Sequence, residues 1–103
     1  MNATNRIEQQ ALSRAVLEID VNNHAGVMSH VVGLFSRRAY NVEGILVLPV
    51  GDGSRSRIWL LVNEDQRLPQ MMKQAEKLED VIAIRRHNAD HAVFSELEAF
   101  FRP

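Results

Sequence analysis

The sequence predicts an α+β fold in the order βαββαβ, and three observations lead to it. The spacing of apolar residues switches along the chain between a period of two and a period of about 3.6. Two alternating apolar runs flank the turn-forming cluster at residues 51–54, which favours an antiparallel hairpin. The chain has 103 residues, the size of a single domain. We therefore expect a four-stranded antiparallel sheet with two helices on one face, the ferredoxin-like arrangement.

The first half of this order is a strand followed by a helix. Residues 15–21 alternate apolar and acidic side chains, as a half-buried strand does. Residues 27–38 place apolar side chains on one stripe and end in two arginines, which suit the negative end of a helix. Gly33 lies inside this helix at a cost of roughly 1 kcal/mol relative to alanine. We expect it to permit close approach to the sheet or to a neighbouring subunit.

The second half is a hairpin, a helix and a final strand. Residues 42–50 and 55–62 are the predicted strands of the hairpin. Residues 66–78 are the predicted second helix, with Asp65 as a possible cap, and residues 81–85 are the fourth strand.

The face of the sheet away from the helices is predicted to be apolar. If alternate residues of the second hairpin strand face the helices, Trp59 and Leu61 face away from them. The neighbouring strand then adds one of two pairs to that outer face, either Ile45 and Val47 or Leu46 and Leu48. A domain of this size seldom leaves such a patch in water, so we expect a protein interface there.

The predicted organisation is a flexible extension at residues 1–14, the folded domain at residues 15–87 and a helical tail at residues 88–103. The tail follows a polar break at residues 86–90 and repeats its apolar residues at helical spacing. The apolar stripe could dock on its own domain or on another protein, and the sequence favours neither. The candidate partner-binding residues on it are Phe94, Leu97, Phe100 and Phe101.

Composition limits the classes of partner. The formal net charge is −1, so no overall field attracts nucleic acid or an anionic membrane. The chain contains no cysteine, which is compatible with a reducing compartment. We see no apolar run long enough to span a bilayer and no signal peptide at the N-terminus. The expectation is a cytoplasmic protein that binds neither nucleic acid nor membrane.

A polar turn before the first helix predicts a site for a small anion. Asn22, Asn23 and Gly26 precede the helix, whose first turn presents free backbone N–H groups and the positive end of the helix dipole. A carboxylate suits that position. Asn41 follows the helix, and its amide can both donate and accept, which suits the ammonium and carboxylate of an amino acid.

Other chemistries are less well supported by the residues. His87, Asp90 and His91 are spaced for a metal, but no further ligand completes the set. A serine, a histidine and an aspartate can be drawn into a triad, yet no strained turn frames the serine. Paired arginines suggest RNA binding on this fold, but only Trp59 could stack on a base.

The run at residues 23–49, with its segment G-L-F-S-R-R-A-Y-N-V-E-G-I, resembles the small regulatory subunits of acetohydroxyacid synthase (acetolactate synthase), of the short bacterial isozyme I type. Residues 56–68 and 77–81 extend the resemblance. It implies an ACT domain that forms a homodimer, activates the catalytic subunit and confers feedback inhibition by valine in branched-chain amino acid biosynthesis. It also implies no cofactor in this chain, because thiamine diphosphate, magnesium and FAD belong to the catalytic subunit.

The resemblance places valine where two protomers meet, on contacts that coincide with the predicted anion site. The implied ligand residues are Asn23, Ala25, Gly26, Val27, Met28, Asn41 and Val42. Two alternatives stay open. One is a free-standing amino-acid-sensing ACT domain of a transcriptional or other metabolic regulator. The other is an acyl-phosphate hydrolase that would use Asn41 with Arg37 or Arg38.

Overall fold

A computed structural model describes residues 13–103 of the chain. The predicted order βαββαβ is confirmed, and a short helix and a 3-10 helix follow it. The strands are β1 (Arg14–Asn22), β2 (Val42–Val50), β3 (Arg55–Asn63) and β4 (Val81–Asn88). The helices are α1 (Val27–Arg37), α2 (Leu68–Glu76) and α3 (Ala92–Ser95), with the 3-10 helix at Glu98–Phe101.

The four strands form one sheet in the order β2-β3-β1-β4, and every neighbouring pair is antiparallel. Helix α1 packs over β2, and helix α2 packs over β4. Because β2 is an edge strand, helix α1 and the free edge of β2 lie on the same side of the molecule.

The hydrophobic core lies between the two helices and one face of the sheet. On the strands it consists of alternate residues, among them Leu17, Ile19, Ile58 and Leu60, all fully buried. The helices close it with residues at helical spacing, including Val31, Leu34 and Phe35 from α1 and Leu68, Met71 and Ala75 from α2. The alternation that predicted the strands therefore does separate the core from the outer face.

The outer face of the sheet is not uniformly apolar, so that prediction was wrong for half of it. The register places Leu46 opposite Trp59 and Leu48 opposite Arg57, so Leu46 and Leu48, rather than Ile45 and Val47, share the outer face with Trp59. Across β1 and β4 this face carries charged side chains instead. They are Glu18 and Asp20 of β1 and Arg85 of β4, which form ion pairs with one another and with Arg57 of the adjoining strand β3. The His87 ring of β4 makes a hydrogen bond with Glu18.

Strand β4 is longer than predicted. It continues to Asn88 because β1 supplies backbone partners that far, pairing Val16 with His87 and Ala15 with Asn88. Its polar side chains are also satisfied, since the Arg86 guanidinium donates to Glu64. The polar segment at residues 86–90 is therefore mostly strand, and a break in apolar periodicity did not end the ladder.

The predicted N-terminal extension lies outside the described residues, except for its last two. Arg14 is already the first residue of β1, and its Nε atom lies 2.7 Å from a carboxylate oxygen of Glu43. Strand β1 therefore begins one residue before the predicted start of the folded domain.

Candidate ligand-binding site

The turn between β1 and α1 is held to two other loops of the domain. The Asn23 side chain donates to the Gly53 carbonyl at 2.9 Å, and the Asn23 backbone N–H donates to Ser54 at 3.0 Å. The His24 ring lies 2.8 Å from the Asp80 carboxylate, before β4. Contacts to both loops fix the turn in space, although the side chain of His24 is two-thirds exposed.

Gly26 is the N-cap of α1 and has the left-handed backbone conformation, with φ of 83°. No side chain caps the helix, so neither asparagine of the turn serves as its cap. A Cβ atom at Gly26 would meet no atom within 4 Å. The glycine is therefore required by its conformation and not by crowding within this chain.

The first turn of α1 remains available to an anion. The Val27 N–H donates to the His24 carbonyl, and the first bond of the helix runs from His30 to Gly26. An α-helix gives no internal acceptor to the N–H groups before that bond, which leaves those of Met28 and Ser29 at the positive end of the dipole. The residues of this turn are exposed, except for Val27.

Asn41 and Val42 lie at the opposite end of α1. The helix has 11 residues, so about 16 Å separates its two ends. Strand pairing also places the two groups at opposite ends of the sheet. Asn22 and Val50 both pair with the start of β3, whereas Val42 and Ala15 both pair with its end. The predicted ligand residues thus form two groups that a single small molecule on one chain cannot touch together.

The Asn41 end is fixed by the aromatic residue before it. The buried Tyr40 donates its hydroxyl to the Asn63 carbonyl, and the Arg67 guanidinium lies 4.8 Å above the Tyr40 ring. Burial, together with the negative charge of Asp65, raises the pKa of Tyr40 above its ordinary value. The hydroxyl therefore stays protonated and keeps donating, which holds the exposed Asn41 at the start of β2.

The two arginines named for phosphate chemistry turn back on their own helix. Arg38 donates to the Leu34 carbonyl at 3.3 Å, and the Arg37 guanidinium would lie 2.9 Å from a Cβ atom at Gly33. No atom of the sheet lies near that Cβ position, so the predicted close approach of Gly33 to the sheet is absent. Close approach to a neighbouring subunit stays a prediction. Among the described residues, no contact brings Arg37 or Arg38 together with Asn41. The arrangement that the acyl-phosphate hydrolase alternative requires is therefore not formed by these contacts.

The tail residues named for partner binding fall into two groups. Phe94 covers Gly44 on the outer face of the sheet, where a Cβ atom would meet the Phe94 ring at 2.8 Å. Leu97 is half-buried beside it in a groove of about 390 Å³ along β2. Phe100 and Phe101 are 80% and 79% exposed. The tail therefore docks on its own sheet with one part of its apolar stripe and presents the other part to solvent.

Sequence reasoning missed the residues that hold these groups in place. Asp80, Gly53 and Ser54 brace the turn from loops far along the chain, and Gly44 receives Phe94 across 50 positions. Asp80, Gly53 and Ser54 carry no local signal of this role. The one signal that could have been used is Gly44, because a glycine inside a strand can mark a close approach by another group.

The described residues contain no group of three or more possible metal ligands from histidine, cysteine, aspartate and glutamate. His87 and His91 do meet, with ring centroids 4.7 Å apart, but their nitrogens contact Glu18 and the Val93 N–H. In residues 13–103 no helix combines the length and the hydropathy that a membrane span requires.

Comparisons with known proteins point to one family for this fold. The family model described as the AHAS small subunit-like ACT domain matches residues 17–83. The acetolactate synthase isozyme 1 small subunit of Escherichia coli K12 is 56% identical over 87 residues, which is 84% of this chain and 91% of that protein. The acetolactate synthase small subunit of Haemophilus influenzae is 42% identical over 72 residues, which is 69% of this chain and 44% of that protein.

Solved structures show the same fold. The crystal structure of the acetolactate synthase small subunit from Thermotoga maritima matches with a TM-score of 0.64 and 26% identity, over 85% of this chain and 68% of that one. The ACT domain from GTP pyrophosphokinase of Chlorobium tepidum matches with a TM-score of 0.58 at 19% identity, over 72% of this chain and 96% of that one, and shows likeness of fold alone.

Proposed function

Because the chain belongs to the acetolactate synthase small-subunit family and is a regulatory rather than a catalytic subunit, we propose that it binds valine as a homodimer and transmits valine inhibition to the catalytic subunit. Thiamine diphosphate, magnesium and FAD would then serve the reaction on the catalytic subunit. The observation that carries this proposal is the separation of the predicted ligand residues to the two ends of α1.

A two-fold axis at the free edge of β2 would unite the two groups. Antiparallel pairing of two β2 strands would extend the sheet and place the two α1 helices side by side in opposite directions. The Val50 end of one strand would then lie beside the Val42 end of the other. As a result, the turn at Asn23 and Gly26 of one protomer would face Asn41 and Val42 of its partner. The dimer would contain two such sites.

Each half would contribute a different contact to an amino acid. The exposed N–H groups at the start of α1 and the helix dipole would hold the α-carboxylate. The Asn41 side-chain oxygen of the other protomer would accept a hydrogen bond from the α-ammonium. Met28 is 45% exposed and Val42 is half-buried, so together they offer apolar contact to a branched aliphatic side chain.

The proposal is tested with Gly26→Asp and Asn41→Ala. The aspartate adds a negative charge beside the carboxylate, and the alanine removes the amide acceptor. Losing one charge-assisted contact costs about tenfold to a hundredfold in affinity. Each variant should therefore weaken valine binding by that factor in calorimetry, yet still stimulate acetolactate formation by the catalytic subunit.

Mixing the two variants makes the test specific to a shared site. A heterodimer of Gly26→Asp with Asn41→Ala carries both changes in one site and neither change in the other. When the two variants are refolded together, the heterodimers that form should each contain one unchanged site, which binds valine with wild-type affinity. Gly51→Asp is the matched control, since Gly51 also has a positive φ with no atom near its Cβ position and is not a predicted ligand contact. Unchanged valine inhibition in both single variants, or no recovery in a verified heterodimer, would refute the shared site.

A further inference from the structure

Three aromatic rings stack where the tail leaves the sheet. Trp59 of β3 lies 5.6 Å from His87 of β4 and 4.8 Å from His91, and the two histidine rings are 4.7 Å apart, all measured between centroids. His87 belongs to the sheet, whereas His91 is the residue just before α3. The stack therefore joins the tail to the sheet at the tail's first turn.

His91 also starts the helix that follows it. Its Nδ1 atom accepts a hydrogen bond from the Val93 N–H at 3.1 Å, so the side chain is the N-cap of α3. A ring nitrogen that accepts carries no proton, and the neutral ring must then hold its proton on Nε2. Protonation of His91 would add a hydrogen at Nδ1, so that this N–H and the Val93 N–H would both be donors and the hydrogen bond between them would be lost.

The charges around the stack come from three strands and the tail. The His87 Nε2 atom lies 2.9 Å from Glu18 of β1, whose other oxygen is shared by Arg57 of β3 and Arg85 of β4. Both arginines also contact Asp20. Within residues 13–103 no carboxylate lies within ion-pair distance of His91, and its nearest acidic neighbours in sequence, Asp90 and Glu96, are exposed.

We propose that the stack of Trp59, His87 and His91 is a proton-operated clasp that holds the C-terminal tail on the sheet and releases it when His91 is protonated. A proton on His91 removes the cap of α3 and places a positive charge 4.7 Å from the His87 ring. Release withdraws Phe94 from Gly44 and uncovers the outer face beside Leu61 and Trp59. The clasp requires neither valine nor a catalytic subunit, so it stands or falls separately from the proposed function.

The test is an NMR titration of the isolated full chain. The Trp59 indole N–H, the single tryptophan signal, reports the stack, and the Leu61 amide reports the Phe94 ring nearby. From about pH 7.5 to about pH 5.5, where histidines ordinarily take up a proton, both signals should move with the same midpoint as the His91 ring. They should approach their positions in Gly44→Ala, whose added methyl would meet the Phe94 ring at 2.8 Å and displace that ring from the sheet.

His91→Asn separates protonation of His91 from other effects of acid. Asparagine caps a helix through its side-chain oxygen and stays neutral, so this variant should keep the tail docked at both pH values. His30→Gln, which removes an exposed histidine of α1, should titrate as the wild type does. The clasp is overturned if the Trp59 and Leu61 signals stay fixed while His91 takes up its proton. It is also overturned if these signals in His91→Asn follow the same pH dependence as in the wild type. If the variant is already released at pH 7.5, the wild-type titration alone decides.

Discussion

At the scale of single residues, Asp20 organises the charged half of the outer sheet face. Its carboxylate accepts from Arg57 at 2.8 Å and from Arg85 at 3.2 Å. Burial raises the pKa of Asp20, but hydrogen bonds and charge from the two arginines outweigh it and hold that pKa below its ordinary value. The Asp20 side chain is 15% exposed, so this ion pair is better shielded from solvent than most surface pairs.

Replacing this carboxylate should therefore lower stability in a pH-dependent way. Because the pKa is depressed in the folded state, the contribution of Asp20 is complete above the unfolded-state pKa of about 3.9 and is lost as pH falls through the folded-state pKa. We expect Asp20→Asn to lower the free energy of unfolding by about 1 kcal/mol at pH 7. The difference from wild type should shrink steadily below about pH 4.

Urea unfolding at a series of pH values measures this difference. Glu79→Gln is the matched control, because it removes one carboxylate from an exposed loop position. If the free energy of unfolding differs between the wild type and Asp20→Asn by the same amount at pH 7 and pH 3, the depressed pKa of Asp20 is contradicted.

Residue roles were predictable from the sequence only where local chemistry decides them. The turn at Gly26 was identified from polar residues ahead of a helical segment, and glycine permits the left-handed conformation that the turn adopts there. The role of Asn23 was not predictable, because its side chain bonds to Gly53, 30 positions away. An asparagine before a helix suggests a cap, and only the packing of the hairpin against the turn makes it a brace.

At the scale of elements, the tail shows how one apolar stripe can serve two surfaces. The helical spacing of its apolar residues was visible in the sequence, but the segment forms two short helices, Ala92–Ser95 and Glu98–Phe101. Their separation directs Phe94 to Gly44 and leaves Phe100 and Phe101 in solvent. The spacing of apolar residues could not reveal this division, because the division depends on Gly44 of β2, which leaves space for the Phe94 ring.

We expect the exposed pair to contact the catalytic subunit. Phe100→Ser with Phe101→Ser should leave the domain folded and the tail docked, yet weaken binding to the catalytic subunit at least tenfold, as loss of a buried aromatic anchor does. Leu48→Ser is the control, because Leu48 is 71% exposed on the outer face but lies outside the tail. Surface plasmon resonance with immobilised catalytic subunit gives both affinities. Equal affinities for the double variant and the wild type would assign the pair another role.

At the scale of the whole molecule, the fold was predictable because two periodicities and one turn cluster are compatible with few topologies. The ligand residues could be named from the sequence only as a set, without their arrangement in space. Asn41 and Gly26 flank one helix in sequence, which suggests a common site, but a helix holds its ends apart. The sequence of one chain carries no direct record of a neighbouring copy, so it could not suggest the pairing of two β2 edges that we propose to complete the site.

The edge of β2 can be tested directly because the opposite edge of the sheet supplies a matched position. Ile45 of β2 and Ile82 of β4 are both 43% exposed isoleucines on edge strands. A lysine on an edge strand opposes pairing with another strand, because its charge would have to be buried or crowded in the new interface. In sedimentation velocity at micromolar concentration, the wild type and Ile82→Lys should be dimers, whereas Ile45→Lys should dissociate to monomers and lose valine binding with them. If Ile82→Lys dissociates and Ile45→Lys does not, the copies meet through β4, and the site shared across β2 cannot form.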